Sequence, residues 1–179
     1  MKNVRANDIL IRLIESNDDM SVLTHVIRSA YARLGASGLQ FWATYQSVED
    51  TRTRCAEGRC FVAIRGTRIV GTITLRPPDP ASEVAVFRDA STWTIGQFAV
   101  VPELHGCGIG KLLHDAACAD ALRLGALNLA LDTAKPAKHL IAMYTAWNYV
   151  IVGECDWRPT TNYISVVMMK SLQPEKSII

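Results

Sequence analysis

Three alternate glycines, Gly106, Gly108 and Gly110, stand between Pro102 and the apolar pair Leu112-Leu113, with Lys111 directly after the third. The alternation removes three Cβ atoms where backbone amides emerge at a helix N-terminus. An anion can therefore approach the main chain and meet free N–H groups at the positive end of the helix dipole. That chemistry suits a phosphate-bearing ligand. A Walker loop ending on Gly110-Lys111 would need glycine at His105 and a hydroxyl at Leu112, so it fails at both ends. A dinucleotide fingerprint started at Gly106 ends on Lys111, and one started at Gly108 ends on Leu113, so it fails too.

The pattern that fits is V-x-P-x-x-x-G-x-G-I-G, carried by Val100-Val101-Pro102 and Gly106-Cys107-Gly108-Ile109-Gly110 ahead of an apolar helix. It resembles the acyl-CoA-binding motif of the GNAT superfamily of N-acetyltransferases, [QR]-x-x-G-x-[GA], with His105 where the family has Gln or Arg. A second block, Leu129-Ala130-Leu131-Asp132-Thr133-Ala134 followed by Leu140, Tyr144 and Asn148-Tyr149, resembles the family's L-x-L-x-T…L-x-x-x-Y-x-x-x-G-[FY]. Asn148 takes the usual glycine position, where asparagine is the next best residue in a left-handed cap. Ala137 stands where many members carry an asparagine that contacts the pantetheine arm.

The resemblance implies acetyl-CoA as cosubstrate. It places that molecule against Phe98, Ala99 and Val100, then His105, Gly106, Cys107, Gly108, Ile109, Gly110 and Lys111, then Thr133, Ala134, His139, Leu140 and Tyr144. The pyrophosphate rests on the amides of residues 106–111 with charge from Lys111, and the pantetheine lies between two splayed parallel strands. Attack of an amine on the thioester builds charge on the carbonyl oxygen and then on the departing sulfur. A backbone N–H freed by a bulge near Ala99 or Val100 meets the first need. Tyr144 meets the second as the acid that protonates the thiolate; with free pKa values of roughly 10 and 8.5 the transfer is not strongly driven, so geometry matters more than acidity.

A general base is not legible. Many relatives use a carboxylate on the central strand, yet Thr92 to Val101 contains none, and Gln97 can only orient water. Glu83, Asp89 and Glu103 fall in flanking loops and read as solvated charges. A water relay or an acceptor that is already neutral would serve. His25, His114 and His139 read as surface or packing residues. Tyr31, Phe41, Trp42, Tyr45, Trp93 and Trp157 read as an acceptor pocket or as plain core.

The elements that must position these groups follow from periodicity and turn chemistry. Ile9–Ile14 reads as a first strand, and Ser16 or Asn17 caps a helix to about Leu34. Phe41–Tyr45 reads as a loop or irregular helix and Ser47–Glu57 as a second helix. Cys60–Ile64 and Ile69–Leu75 form a hairpin around Arg65-Gly66-Thr67-Arg68, followed by a proline-rich loop from Pro77 to about Ser91. The helix after the glycines runs to Leu124, with Ile109, Leu112, Leu113, Ala116, Ala117 and Leu124 on one face. Leu127–Asp132 is a strand, Lys135–Trp147 a helix, and Val150–Gly153 and Tyr163–Met169 the last strands. The order βααβββαβαββ implies an α/β (α+β) fold, a mixed central sheet of about seven strands with helices on both faces. It matches the GNAT order.

One domain is expected over 1–179, with its core at about 9–170. The formal charge of +2 with scattered basic residues argues against a nucleic-acid surface. No apolar run is long enough to span a bilayer, and Met1–Arg5 lacks a signal-peptide core. Five irregularly spaced cysteines read as reduced thiols in a cytoplasmic protein, with no metal site. The chain is expected to be a monomer or homodimer, its exposed final strand able to pair between subunits. Two functions meet these observations. One is an acetyl-CoA-dependent N-acetyltransferase acting on a primary amine of a small molecule or peptide. The other is a non-catalytic acyl-CoA-binding or regulatory module, favoured by the missing strand carboxylate and by His105 and Ala137.

Overall fold

A computed structural model describes residues 8–173. The N-terminal stretch Met1–Arg5, read above for a signal core, lies outside the described residues. Seven strands form one sheet in the order β1-β2-β3-β4-β5-β7-β6. They are β1 (Ile9–Leu13), β2 (Arg59–Arg65), β3 (Arg68–Arg76), β4 (Thr92–Val100), β5 (Asn128–Ala134), β6 (Val150–Asp156) and β7 (Ile164–Ser171). Every neighbouring pair is antiparallel except β4 and β5. The mixed sheet and helices on both faces are as expected. The final strand is not an edge, however: β7 lies between β5 and β6, and β6 carries the exposed Val150, Ile151 and Val152.

Alternation along β2 sorts the core into two layers. Phe61 and Ala63 join Ile73, Leu113, Ala117 and Tyr144 on one face, while Cys60, Val62 and Ile64 join Leu23 and Ile27 on the other. The second face is covered by α1 (Met20–Ala36) and α2 (Val48–Ala56). The α1 cap is Asp19, not Ser16 or Asn17. The turn before it is held by Asp18, which takes Arg12 through two 2.7 Å bonds and the Glu15 amide, so the helix begins later than its polar letters suggest. For α2 the expectation holds, with Ser47 and Asp50 forming a full capping box.

The proline-rich loop contains one helical turn that periodicity did not reveal, α3 (Ala85–Arg88). The helix after the glycines is α4 (Ile109–Arg123), which buries Ile109, Leu113, His114, Ala117 and Ala121. Leu124 is exposed past its end, and His114 lies in the packed face, 3.0 Å from the Tyr149 hydroxyl. The last helix, α5 (Lys138–Ala146), starts three residues later than expected. The Lys135 amide still bonds to Ile164, and Ala137 closes a turn onto Ala134 before the helix can begin.

Candidate active site

The parallel pair at the centre of the sheet is short. Thr92, Trp93 and Thr94 pair with Asn128, Leu129 and Ala130, and beyond them β4 and β5 part. The separation opens a cleft of about 1570 Å³ between the two halves of the sheet. Two residues of β4 face one of β3 between the pairs Thr72–Ala99 and Thr74–Gly96, so a bulge falls at Gln97–Phe98. Gln97 takes φ 47° there, a left-handed conformation uncommon outside glycine. Its buried side chain is held in place: Oε1 accepts from Gln46 Nε2 at 3.0 Å, and Nε2 donates to the Cys55 thiol.

The bulge lies upstream of the expected Ala99–Val100. Val101 donates its N–H to Val70 of β3, and Ala99 is two residues away on the same side, so the Ala99 amide faces β3 and not the cleft. Phe98 and Val100 turn their main-chain groups to the cleft. Their carbonyls are partly occupied, Phe98 by the Tyr31 hydroxyl at 3.1 Å and Val100 by His105 Nε2 at 2.8 Å.

At one end of the cleft lies the glycine turn. Gly106 and Gly108 have φ 77° and 81°, and Gly108 is the N-cap of α4 with no side-chain bond. The first-turn amides of Ile109, Gly110 and Lys111 have no partner within a helix, and no acidic residue stands among them. The turn has the form that an anion requires: bare, positively polarised and open. His105, Gly106, Gly108, Ile109 and Gly110 line the cleft, as do Phe98, Ala99, Val100, Thr133, Ala137, His139, Leu140 and Tyr144. Cys107, Lys111 and Ala134 do not. Lys111 turns back to Asp115 at 2.6 Å, and Ala134 is buried beside Ala137 and Tyr163.

Tyr144 is buried among Trp147 and Tyr149 but reaches the cleft wall. No described residue forms a hydrogen bond with its hydroxyl. Burial, with smaller effects from Tyr31 and Asp132, raises its pKa above the phenolic range, so it is held as a neutral donor. Of the expected aromatic group, Tyr31, Phe41, Trp42 and Trp157 line the cleft. Trp93 packs against the core instead, and Tyr45 is an exposed tie to the Thr160 carbonyl. Glu83, Asp89 and Glu103 are exposed, and His25 is on the outer face of α1.

Six charged residues line the cleft, Arg33, Arg54, Glu57, Arg76, Asp79 and Asp132, and none was assigned to the site from the sequence. Asp132 of β5 opens to the cleft's water yet is walled by protein, and its Oδ2 accepts from Trp157 Nε1 at 3.0 Å. Burial raises its pKa against the opposing pull of Ser165, then Trp157, Arg76 and Arg54. A lone acid in the apolar run Leu-Ala-Leu-Asp-Thr-Ala is itself the signal, because a strand covered on both faces has no ordinary place for it. Arg54 and Arg76 line the same cleft and pull on its charge, and nothing in their spacing announced them.

The sequence model of the Acetyltransferase (GNAT) family matches residues 25–149. The chain is 30% identical over 166 residues to an S-(2-succino)cysteine N-acetyltransferase of Bacillus subtilis (strain 168), covering 90% of this chain and 95% of that one. Its fold matches the Ard1 structure from Thermoplasma volcanium with TM-score 0.71 at 16% identity, over 93% of this chain and 99% of that one. A GNAT family acetyltransferase from Elizabethkingia anophelis with acetyl-CoA bound matches with TM-score 0.66 at 14% identity, over 92% and 99%.

Proposed function

Because the chain belongs to the GNAT acetyltransferase family, an assignment carried by the match over residues 25–149, we propose that its central cleft is where acetyl-CoA and an amine meet. The protein is an N-acetyltransferase with acetyl-CoA as cosubstrate. A binding module without transfer is not favoured by these relatives. The observation that carries the site assignment is the three-residue parallel seam between β4 and β5. It opens a strand edge in the cleft that the glycine turn and Tyr144 also line.

In this reading the amides of residues 108–111 hold the pyrophosphate by hydrogen bonding and dipole alone, since Lys111 is engaged by Asp115. The cleft-facing N–H groups of Phe98 and Val100 receive the pantetheine and the carbonyl oxygen, whose negative charge grows as the amine attacks. Asp132 takes one proton from the acceptor ammonium before attack. As the C–S bond breaks, Tyr144 gives its proton to the departing sulfur and the second nitrogen proton passes to the phenol oxygen, so the thiol leaves neutral and Tyr144 is regenerated. The raised pKa of Tyr144 makes outright ionisation unfavourable, and its part is a hydrogen bond to the sulfur with the proton passed on in concert. The cleft suits a small-molecule amine, and the Bacillus relative is named for one. Five free thiols fit a cytoplasmic setting, and no helix among the described residues is long and apolar enough to cross a membrane.

Thiol release from acetyl-CoA in the presence of an amine panel tests the assignment. Tyr144→Phe is expected to lower kcat by about 100-fold with little change in KM for acetyl-CoA. Full turnover in that variant would remove Tyr144 from the mechanism.

A further inference from the structure

Two arginines of the cleft, Arg54 and Arg76, are under-bonded. Arg54 makes one side-chain bond, from Nη1 to Gln46 Oε1 at 2.6 Å, and stacks its guanidinium 4.7 Å from the Trp42 ring. No carboxylate among the described residues pairs with it. Arg76 is ion-paired with Glu57, whose Oε2 is 2.9 Å from Nε, but the pair forms no hydrogen bond and the buried Nε is left without a hydrogen-bond partner. A guanidinium carries five donors in a planar fork. Among the described residues, the two forks together make a single hydrogen bond.

Their placement is built. Arg54 is fixed through Gln46, which also bonds Thr51 at 2.7 Å and Gln97 at the β4 bulge, so the strand irregularity and the arginine share one buried network. Arg76 lies over Gly96 of β4: a Cβ there would fall 2.7 Å from Nη2 and 2.9 Å from Cζ. The bare backbone at 96 makes the seat. The two cations also oppose each other, since Arg54 is held below the usual guanidinium range by burial and then by Arg76. An anion between them relieves that repulsion and fills the open donors at once.

We infer that Arg54 and Arg76 form a receptor for a carboxylate of the acetyl acceptor, which is therefore an amine of amino-acid type, carrying its ammonium toward Asp132 and its carboxylate toward the guanidinium pair. An aspartate and two arginines lining one cleft read the two opposite charges of such a zwitterion. The inference rests on the acetyl-transfer reading of the cleft. It goes further in stating which amines are used and which groups select them.

The test compares matched amines on the full chain with acetyl-CoA: L-alanine against L-alaninamide, and L-glutamate against L-glutamine. At least one carboxylate-bearing member is expected to exceed its amide by about 100-fold in kcat/KM, because buried donors left unpaired penalise the neutral analogue. Arg76→Gln and Gly96→Ala are each expected to collapse that preference through the amine KM while leaving the acetyl-CoA KM unchanged. Gly96→Ala keeps both arginines and only displaces one. A second readout is independent of turnover: with CoA present, succinate is expected to raise Tm more than its diamide, and Arg76→Gln to abolish the difference. Equal treatment of acid and amide in both assays overturns the receptor. Succinate protection with no acetylation of any amine keeps the receptor and overturns the transfer assignment instead.

Discussion

As the proposed base, Asp132 would set the working range of the site. Burial is the largest influence on it and raises its pKa, so at a given pH below neutrality it is less ionised than a free carboxylate of about 3.9. A base works only when ionised, so the acid limb of kcat/KM should lie above the ordinary carboxylate range. Asp132→Asn should remove that limb and lower kcat/KM by about 100-fold or more. The stability sign is opposite. A group raised on folding contributes stability below its unfolded pKa and loses it as pH rises through the folded value, so the asparagine variant should melt no lower than the parent at neutral pH. A lower Tm with retained activity would make Asp132 structural. Tyr144 could be singled out from its place after Leu140 in a motif, and the glycines from their spacing. Asp132, Arg54 and Arg76 were not found that way. They come from β5, α2 and β3, and only the folded sheet brings them to one cavity.

Among the elements, those with local determinants were legible and those fixed by long-range contacts were not. The capping box at Ser47, the hairpin at Gly66 and the glycine start of α4 are each specified within a few residues. The late starts of α1 and α5 are not, because Asp18 answers to Arg12 and Lys135 to Ile164 across the sheet's other elements. The glycine turn gives a sharp expectation. At φ 81° a side chain at position 108 costs about 1–2 kcal/mol, so Gly108→Ala should lower Tm by several degrees. The same change should weaken acetyl-CoA binding by calorimetry. If affinity is kept, the turn does not hold the diphosphate.

For the molecule as a whole, element order was enough to give the sheet's class, but not the place where it parts. Strand letters carry no record of how many residues two parallel neighbours share, and here it is three. A cosubstrate bound between the halves must stabilise the folded chain by mass action. At about 100 times its Kd acetyl-CoA contributes about 2.7 kcal/mol, a rise of roughly 5–10 °C in Tm for a chain of this size. Scanning calorimetry with acetyl-CoA checks this, and an unmoved Tm at that loading would detach the ligand from the cleft.

The same parting has a cost outside catalysis. A gap within a sheet presents inward-turned edges whose unpaired amides and carbonyls could recruit a foreign peptide. Tyr31 and His105 already cover the carbonyls of Phe98 and Val100. These two side chains cap carbonyls of the parted edge, so part of its hydrogen-bonding capacity is met without a further strand.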